Sequence, residues 1–358
     1  MWPDERALDL FKVTHPVVLA PMAGAMDTGL AIAVAESGAL GSLPIAMLDE
    51  RQLRDHMAKF RAATDKPVNV NFFCHKPAVP NNAREHAWRE KLKPYYVEYD
   101  IDPAVSVPSS NRIPFGEAQC SVVEELKPEV VSFHFGLPAP ALLARVKESG
   151  CIVMASATTV AEARWLDANG CDAIIAQGFE AGGHRGMFLA DNLATQVGTF
   201  ALVPQVVDAV KVPVVAAGGI ADARGIVAAL ALGASAVQIG TAYLFCPESS
   251  IQPPHRAELA SASDDGTAVT NLQTGKPARG LINRVMRELG PINDVAPEFP
   301  LAAGALAPLN AKALSQGSGD FLSMWAGQAA GLGRAMPARE LTRTLVNEAQ
   351  ALMKKMAR

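Results

Sequence analysis

The stretch PVVAAGGIADARGIVAALALGASAVQIGT, residues 213–241, reads as one complete strand–helix–strand unit. The near-continuous apolar runs PVVAA and AVQI suit strands of a parallel sheet that is buried on both faces. Between them Asp222 can cap a helix that stops at Gly233, where a left-handed glycine returns the chain directly to a strand. Each strand ends on glycine, at Gly218-Gly219 and at Gly240-Thr241. Glycine-bearing tips on two neighbouring strands present backbone N–H groups to an anion, so a phosphorylated cofactor is expected there. GxGxxG is absent, which disfavours a Rossmann-type dinucleotide site.

The same unit recurs along the chain. Strands are expected at 17–22, 39–44, 68–73, 130–135, 152–157, 173–178, 213–219 and 236–243. Helices between them end in SGAL at Gly38, SGCI at Gly150, NGCD at Gly170 and LGAS at Gly233, and Thr159-Val160-Ala161-Glu162 reads as a capping box. Eight βα units close into an α/β (β/α)8 TIM barrel of about 250 residues, which leaves roughly 100 residues over. Two stretches without clean periodicity hold the excess, at about 74–128 and 247–310, and an amphipathic helix is expected at 338–356. The domain reading is a barrel built from 1–246 plus 311–358, with a substrate-side lid from 247–310. Both excursions leave from C-terminal strand ends, where this fold keeps its active site.

The 358 residues are 49% hydrophobic and 19% charged, with a formal net charge of −4. That balance carries no basic footprint, so a small molecule is expected as partner rather than nucleic acid or an anionic membrane. No window reads as a signal peptide or as a membrane-spanning helix. The five cysteines are widely spaced and odd in number, which fits reduced thiols in a cytoplasmic protein. No His, Cys or carboxylate group has metal-ligand spacing, and neither GxSxG nor a Walker loop occurs.

Polar residues at strand tips mark the candidate site. Asn71 lies in VNVNFF, His134 in SFHFGLP and Gln177 in AQGFEAGGHRG, residues 176–186. The two amides suit the edge of a heterocycle, and His134 faces the same mouth. His184 sits in a glycine-rich loop, where an imidazole can move a proton near neutral pH, and it is the leading catalytic candidate. Glu180 is read as orienting or capping that loop. Arg185, Tyr95, Tyr96 and Tyr99 are open to either a substrate-side or a structural role.

HPVVLAPMAG (15–24), VNVNFF, SFHFGLP, AQGFEAGGHRG, AAGGIAD (216–222), QIGT (238–241) and GSGDFLSMWAGQAAGL (317–332) together resemble the nitronate monooxygenase family, once called 2-nitropropane dioxygenases. The resemblance runs in order over nearly the whole chain. It implies an FMN-binding barrel that oxidises alkyl nitronates, propionate 3-nitronate among them, with O2 to a carbonyl compound plus nitrite or nitrate. It assigns Met22, Asn71, Gln177, Gly182, Gly219 and the run Gln238-Ile239-Gly240-Thr241 to FMN, with Gly183 and Gly218 in the same set, and His184 to the active site as a base on a nitroalkane or a donor to a nitronate. His134 and Lys312 are taken as substrate-side residues, Lys312 as partner of the anion, and a homodimer as a compatible assembly. The alternatives are an FMN-dependent enoyl-[acyl-carrier-protein] reductase, an NAD(P)H:quinone reductase, or a non-catalytic flavin-binding module. The reductases typically resemble QGGM after strand one and GGHIG in the histidine loop, where this chain reads APMAG and GGHRG.

Overall fold

The computed structural model describes residues 2–107 and 112–358. Its strands in chain order are β1 (Val17–Leu19), β2 (Gly41–Pro44), β3 (Val68–Phe73), β4 (Val130–His134), β5 (Ile152–Ala157), β6 (Ala173–Gln177), β7 (Gly183–His184), β8 (Val214–Ala217), β9 (Ala236–Ile239), β10 (Thr267–Thr270) and β11 (Ala278–Leu281). Eight of them form one parallel sheet in the order β1-β9-β8-β6-β5-β4-β3-β2. A parallel bridge between Val18 and Leu40 joins its two ends, so the sheet closes into a barrel.

The two-residue period of a strand divides the side chains between two cores. Outward residues such as Val70, Phe72, Val131, Phe133, Ile174, Val237 and Ile239 pack under the surrounding helices. Inward residues start apolar at the N-terminal end, where Val18, Leu40, Val130, Met154, Ala173, Val215 and Ala236 form a second cluster. Ala7 and Phe11 of the helix Arg6–Phe11 join that cluster and stopper the lower end of the barrel. Further along the same inward rows the side chains turn polar, with Asn69 donating to Ser42 and Asn71 to Ser132 (2.9 Å each).

The helix ends follow the local chemistry of the sequence. Gly38, Gly150, Gly170 and Gly233 all carry positive φ, between 83° and 94°. The Asp222 carboxylate accepts from the Arg224 and Gly225 N–H groups, and the closing helix spans Ala338–Met356. At Thr159 only half of the expected capping box forms. The Thr159 hydroxyl takes the Glu162 N–H, but the Glu162 carboxylate is drawn inward to Thr158, Phe188 and Leu189. The last barrel strand also ends earlier than expected, because Gly240 turns the chain into a short helix, Thr241–Leu244.

The two excursions are more ordered than their patterns suggest. The first contains the helix Asn82–Glu98 and ends with Glu117–Leu126, which packs on the barrel as the helix before β4. The second contains β10 and β11, and its last helix, Ala302–Ser315, runs past residue 310. The excursions meet each other in a separate apolar cluster. Trp88, Leu92, Tyr95 and Tyr96 pack against Leu272, Val285, Ala305, Leu309 and Phe321. Trp88 donates its indole N–H to the Ala302 carbonyl at 3.2 Å, and Tyr96 its hydroxyl to the Ala305 carbonyl at 2.5 Å. Tyr95 and Tyr96 are therefore structural residues of this layer.

Trp88 is 1% exposed, so truncating it leaves a large cavity between the two excursions. Trp88→Ala is expected to lower the stability of the cap by about 3–5 kcal/mol. Urea unfolding followed by tyrosine and tryptophan fluorescence reads this; a loss under about 1 kcal/mol would show that the cap does not depend on that contact.

Candidate active site

The polar ends of the inward rows open into a cleft of about 1320 Å³, counted out to its solvent side. Asn71 and Phe73 of β3, His134 of β4, Ser156 of β5, Gln177 of β6, Ala217 at the end of β8 and Gln238 of β9 line it. Ala20, Pro21, Met22, Gly182, Gly183, His184, Gly218, Gly219, Gly240 and Thr241 also line it on the barrel side, with Arg112 from the first excursion and Trp325 from the stretch that follows the second. Among the described residues no carboxylate lines the cleft and Arg112 does, so its potential favours an anionic ligand.

His184 is placed by two sheets at once. It belongs to the two-residue strand β7, which pairs antiparallel with β11 at Ala278, so the segment read as a glycine-rich loop is an edge of the three-stranded sheet β10-β11-β7. Its carbonyl accepts from Gln177 Nε2 (2.9 Å) and His134 Nε2 (3.2 Å), both from the barrel. Its Nε2 lies 2.9 Å from the Thr274 hydroxyl. Phe73, Phe135, Phe299 and Trp325 surround the ring at 5.3–6.1 Å between centroids. Burial in this box, with Arg112, His134, Lys276 and His75 nearby, holds the imidazole well below its usual pKa, so it is neutral at physiological pH.

Several residues expected at a ligand are committed to the protein instead. His134 donates from Nε2 to the His184 carbonyl, and its Nδ1 meets Ser156 Oγ at 3.0 Å, which leaves neither nitrogen for substrate. Burial lowers its pKa to about 4, so it is a neutral brace. Lys312 is exposed on the helix Ala302–Ser315, beside Glu98, Tyr99, Asp100 and Gln316, and does not reach the cleft. Ile239 points outward into the helix-packing core because it falls on the other parity of its strand from Gln238. Gln177 gives one amide hydrogen to the His184 carbonyl and takes the Gly186 N–H at 2.8 Å, so one hydrogen and one oxygen lone pair remain.

Other residues keep free valence towards the cleft. The Gly219 and Gly240 N–H groups make no backbone hydrogen bond among the described residues, and Gly218 and Gly219 have φ of 107° and 70°. Gln238 Oε1 is buried without a hydrogen-bond partner among the described residues. An unsatisfied buried amide beside unpaired backbone donors fits a ligand that brings both a phosphate and a polar ring edge. A flavin that carries a phosphate meets that description. Gly182 is required for a different reason: a Cβ there would stand 2.6 Å from the backbone at Ala326 and Gly327. Thr241 serves the same junction, its hydroxyl accepting the Gly327 N–H at 2.9 Å.

Arg185 and Glu180 are structural. Arg185 is 1% exposed and donates to the Gln177 and Gly178 carbonyls and to Gln196, fixing the turn after β6. The Glu180 carboxylate caps the helix Thr199–Val207 from outside through the Thr199 N–H and hydroxyl. Thr274, Phe299 and Arg112 went unread in the sequence, since nothing in their local pattern sets them apart; Trp325 stands within the late GSGDFLSMWAGQ stretch and was the one available signal.

The model of the family described as nitronate monooxygenase matches residues 4–348. A nitronate monooxygenase from Pseudomonas aeruginosa is 42% identical over 96% of this chain and 99% of its own length. Among solved structures, a nitroalkane oxidase from Streptomyces ansochromogenes superposes with a TM-score of 0.89 at 35% identity, over 98% of this chain and 99% of that one. FabK from Thermotoga maritima follows at 0.75 and 31%, over 98% of each chain. With its closed barrel, its cap and a histidine set over the cleft, this chain belongs to the nitronate monooxygenase family.

Proposed function

We propose that the protein is an FMN-dependent nitronate monooxygenase, which uses O2 to convert alkyl nitronates such as propionate 3-nitronate to a carbonyl compound and nitrite or nitrate. One observation carries the reading. A neutral, buried imidazole stands in an aromatic box over a cleft that, among the described residues, has unpartnered N–H groups at Gly219 and Gly240, an orphaned amide oxygen at Gln238 and no carboxylate. On this reading the Gly218-Gly219 and Gly240-Thr241 tips hold the phosphate, and Met22, Asn71, Gln177 and Gln238 border the ring system. Bound there, FMN supplies the electron acceptor and the place where O2 reacts.

The chain's own groups do the remaining work. Phe73, Phe135, Phe299 and Trp325 exclude water, so a polar contact to the substrate counts for more than it would in solvent. His184 supplies that contact, and Gln177 and His134 hold its backbone in place. The five free thiols, four of them buried, support a cytoplasmic location, and no helix among the described residues is long and apolar enough to cross a membrane.

The purified protein is expected to carry FMN and to release nitrite aerobically from propionate 3-nitronate. Rapid anaerobic reduction of its flavin by NADH, with no reaction on nitronates, would move it to the reductases. His184→Ala is expected to lower kcat/KM for a preformed nitronate by about 10²–10³, the usual effect of removing one donor to a developing or resident oxyanion, with flavin content unchanged.

The pH profile carries the sign of the buried histidine. Because its pKa lies well below 6.5, the ring gains a proton only as pH falls far past that value. The kcat/KM for a preformed nitronate is therefore expected to stay level from pH 8 through 6.5; a clear inflection near 6.5, abolished in His184→Ala, would contradict the buried, neutral ring.

A further inference from the structure

We propose that Thr274 fixes the tautomer of His184, so that the ring keeps its proton on Nδ1 and presents a hydrogen-bond donor, not a base, to the substrate. The inference rests on the function proposed above and adds to it a residue and a substrate preference. Thr274 lies in the connection between β10 and β11, and His184 lies in β7, which pairs with β11. Hydroxyl and imidazole thus hang from one small sheet, and their 2.9 Å contact is set by backbone pairing.

Proton accounting decides the direction of that contact. Thr274 is 1% exposed, and the bond to His184 is the only one its hydroxyl makes among the described residues. A hydroxyl is one donor and an acceptor. If Nε2 carried the ring proton, Thr274 would have to accept it, and its own hydrogen would be buried with no acceptor. With Nε2 bare, the hydroxyl donates to it and no donor is stranded, which is the arrangement that burial favours. The neutral ring then bears its single proton on Nδ1.

Among the described residues no hydrogen-bond acceptor is recorded for that proton. Nδ1 makes no hydrogen bond among the described residues, and the ring lines the cleft. The charged and titratable groups around it are Arg112, Lys276, His134 and His75, all of which oppose a second proton on the ring. An Nδ1–H so placed can donate to an oxygen of a nitronate that is already an anion, with no proton transferred. A neutral nitroalkane must first lose a proton from carbon, and the nitrogen facing it is already occupied. The site therefore selects nitronates over nitroalkanes.

The test reads the tautomer directly, by long-range proton–nitrogen NMR of the FMN-loaded protein labelled with 15N-histidine, His184 being assigned by its disappearance in His184→Ala. The expected spectrum has a protonated Nδ1 and a bare Nε2 for the wild type and for Thr274→Ser, and a shift towards Nε2–H in Thr274→Val. In kinetics, Thr274→Val is expected to narrow the preference for nitronate over neutral nitroalkane by up to about 10², the lower edge of what a positioned proton-transfer group contributes, and Thr274→Ser to restore it. A wild-type His184 protonated on Nε2 overturns the proposal, whether or not Thr274→Val folds, and so does a preference that Thr274→Val leaves unchanged. A protein with the Nδ1–H tautomer that turns over no nitronate would instead defeat the functional reading and leave the tautomer assignment intact.

Discussion

The alternation of side chains along eight closed parallel strands is the constraint on which this molecule depends. Because inward and outward residues strictly alternate, one parity has to serve the helix-packed core and the other has to fill the barrel. The inward rows are apolar low in the barrel, at Val18, Val130, Met154 and Val215, and polar at the top, at Asn71, His134, Ser156, Gln177 and Gln238. A shift of one residue in β9 would exchange Gln238 for Ile239 and bury an amide under a helix. The register that makes the core thus also makes the site.

Above the barrel, a second set of interactions turns loose chain into a rigid rim. Glu162 and Arg185 are both buried, yet they do not touch. They are joined through Thr158 and Gln196, while Glu162 also takes the Phe188 and Leu189 N–H groups and Arg185 the Gln177 and Gly178 carbonyls. Each charge is surrounded by hydrogen-bond partners, which is the condition under which buried charge is tolerated. The segment that carries His184 is clamped from both sides as a result. Its placement depends on side chains up to 90 residues away in sequence, His134 and Thr274 among them.

What the sequence could reveal follows from the range of each interaction. The βα units were legible because near-continuous apolar runs, a capping Asp222 and the glycines ending four helices are local features, and the closing helix was visible through its own period. Local patterns also led to His184, through a polar residue in a glycine-rich tip. The cap was not legible: the apolar face of Asn82–Glu98 has its partners about 200 residues later, and each half looks patternless alone. The same reason hid β7, two residues that become a strand only because β11 arrives beside them, and Thr274, an ordinary threonine until His184 is placed against it. Lys312 was misplaced because its charge was visible and the direction of its helix face was not.

The cap's construction from two distant stretches has a consequence for how the chain folds. Neither Asn82–Glu98 nor the 272–321 stretch can bury its apolar face before the barrel strands between them have brought the two together, so this cluster pays its loop-closure entropy last. The cap is therefore a late-forming dependency of the barrel: Trp88, Leu92 and Tyr96 are made early and lack their partners in this cluster until the 272–321 stretch has followed.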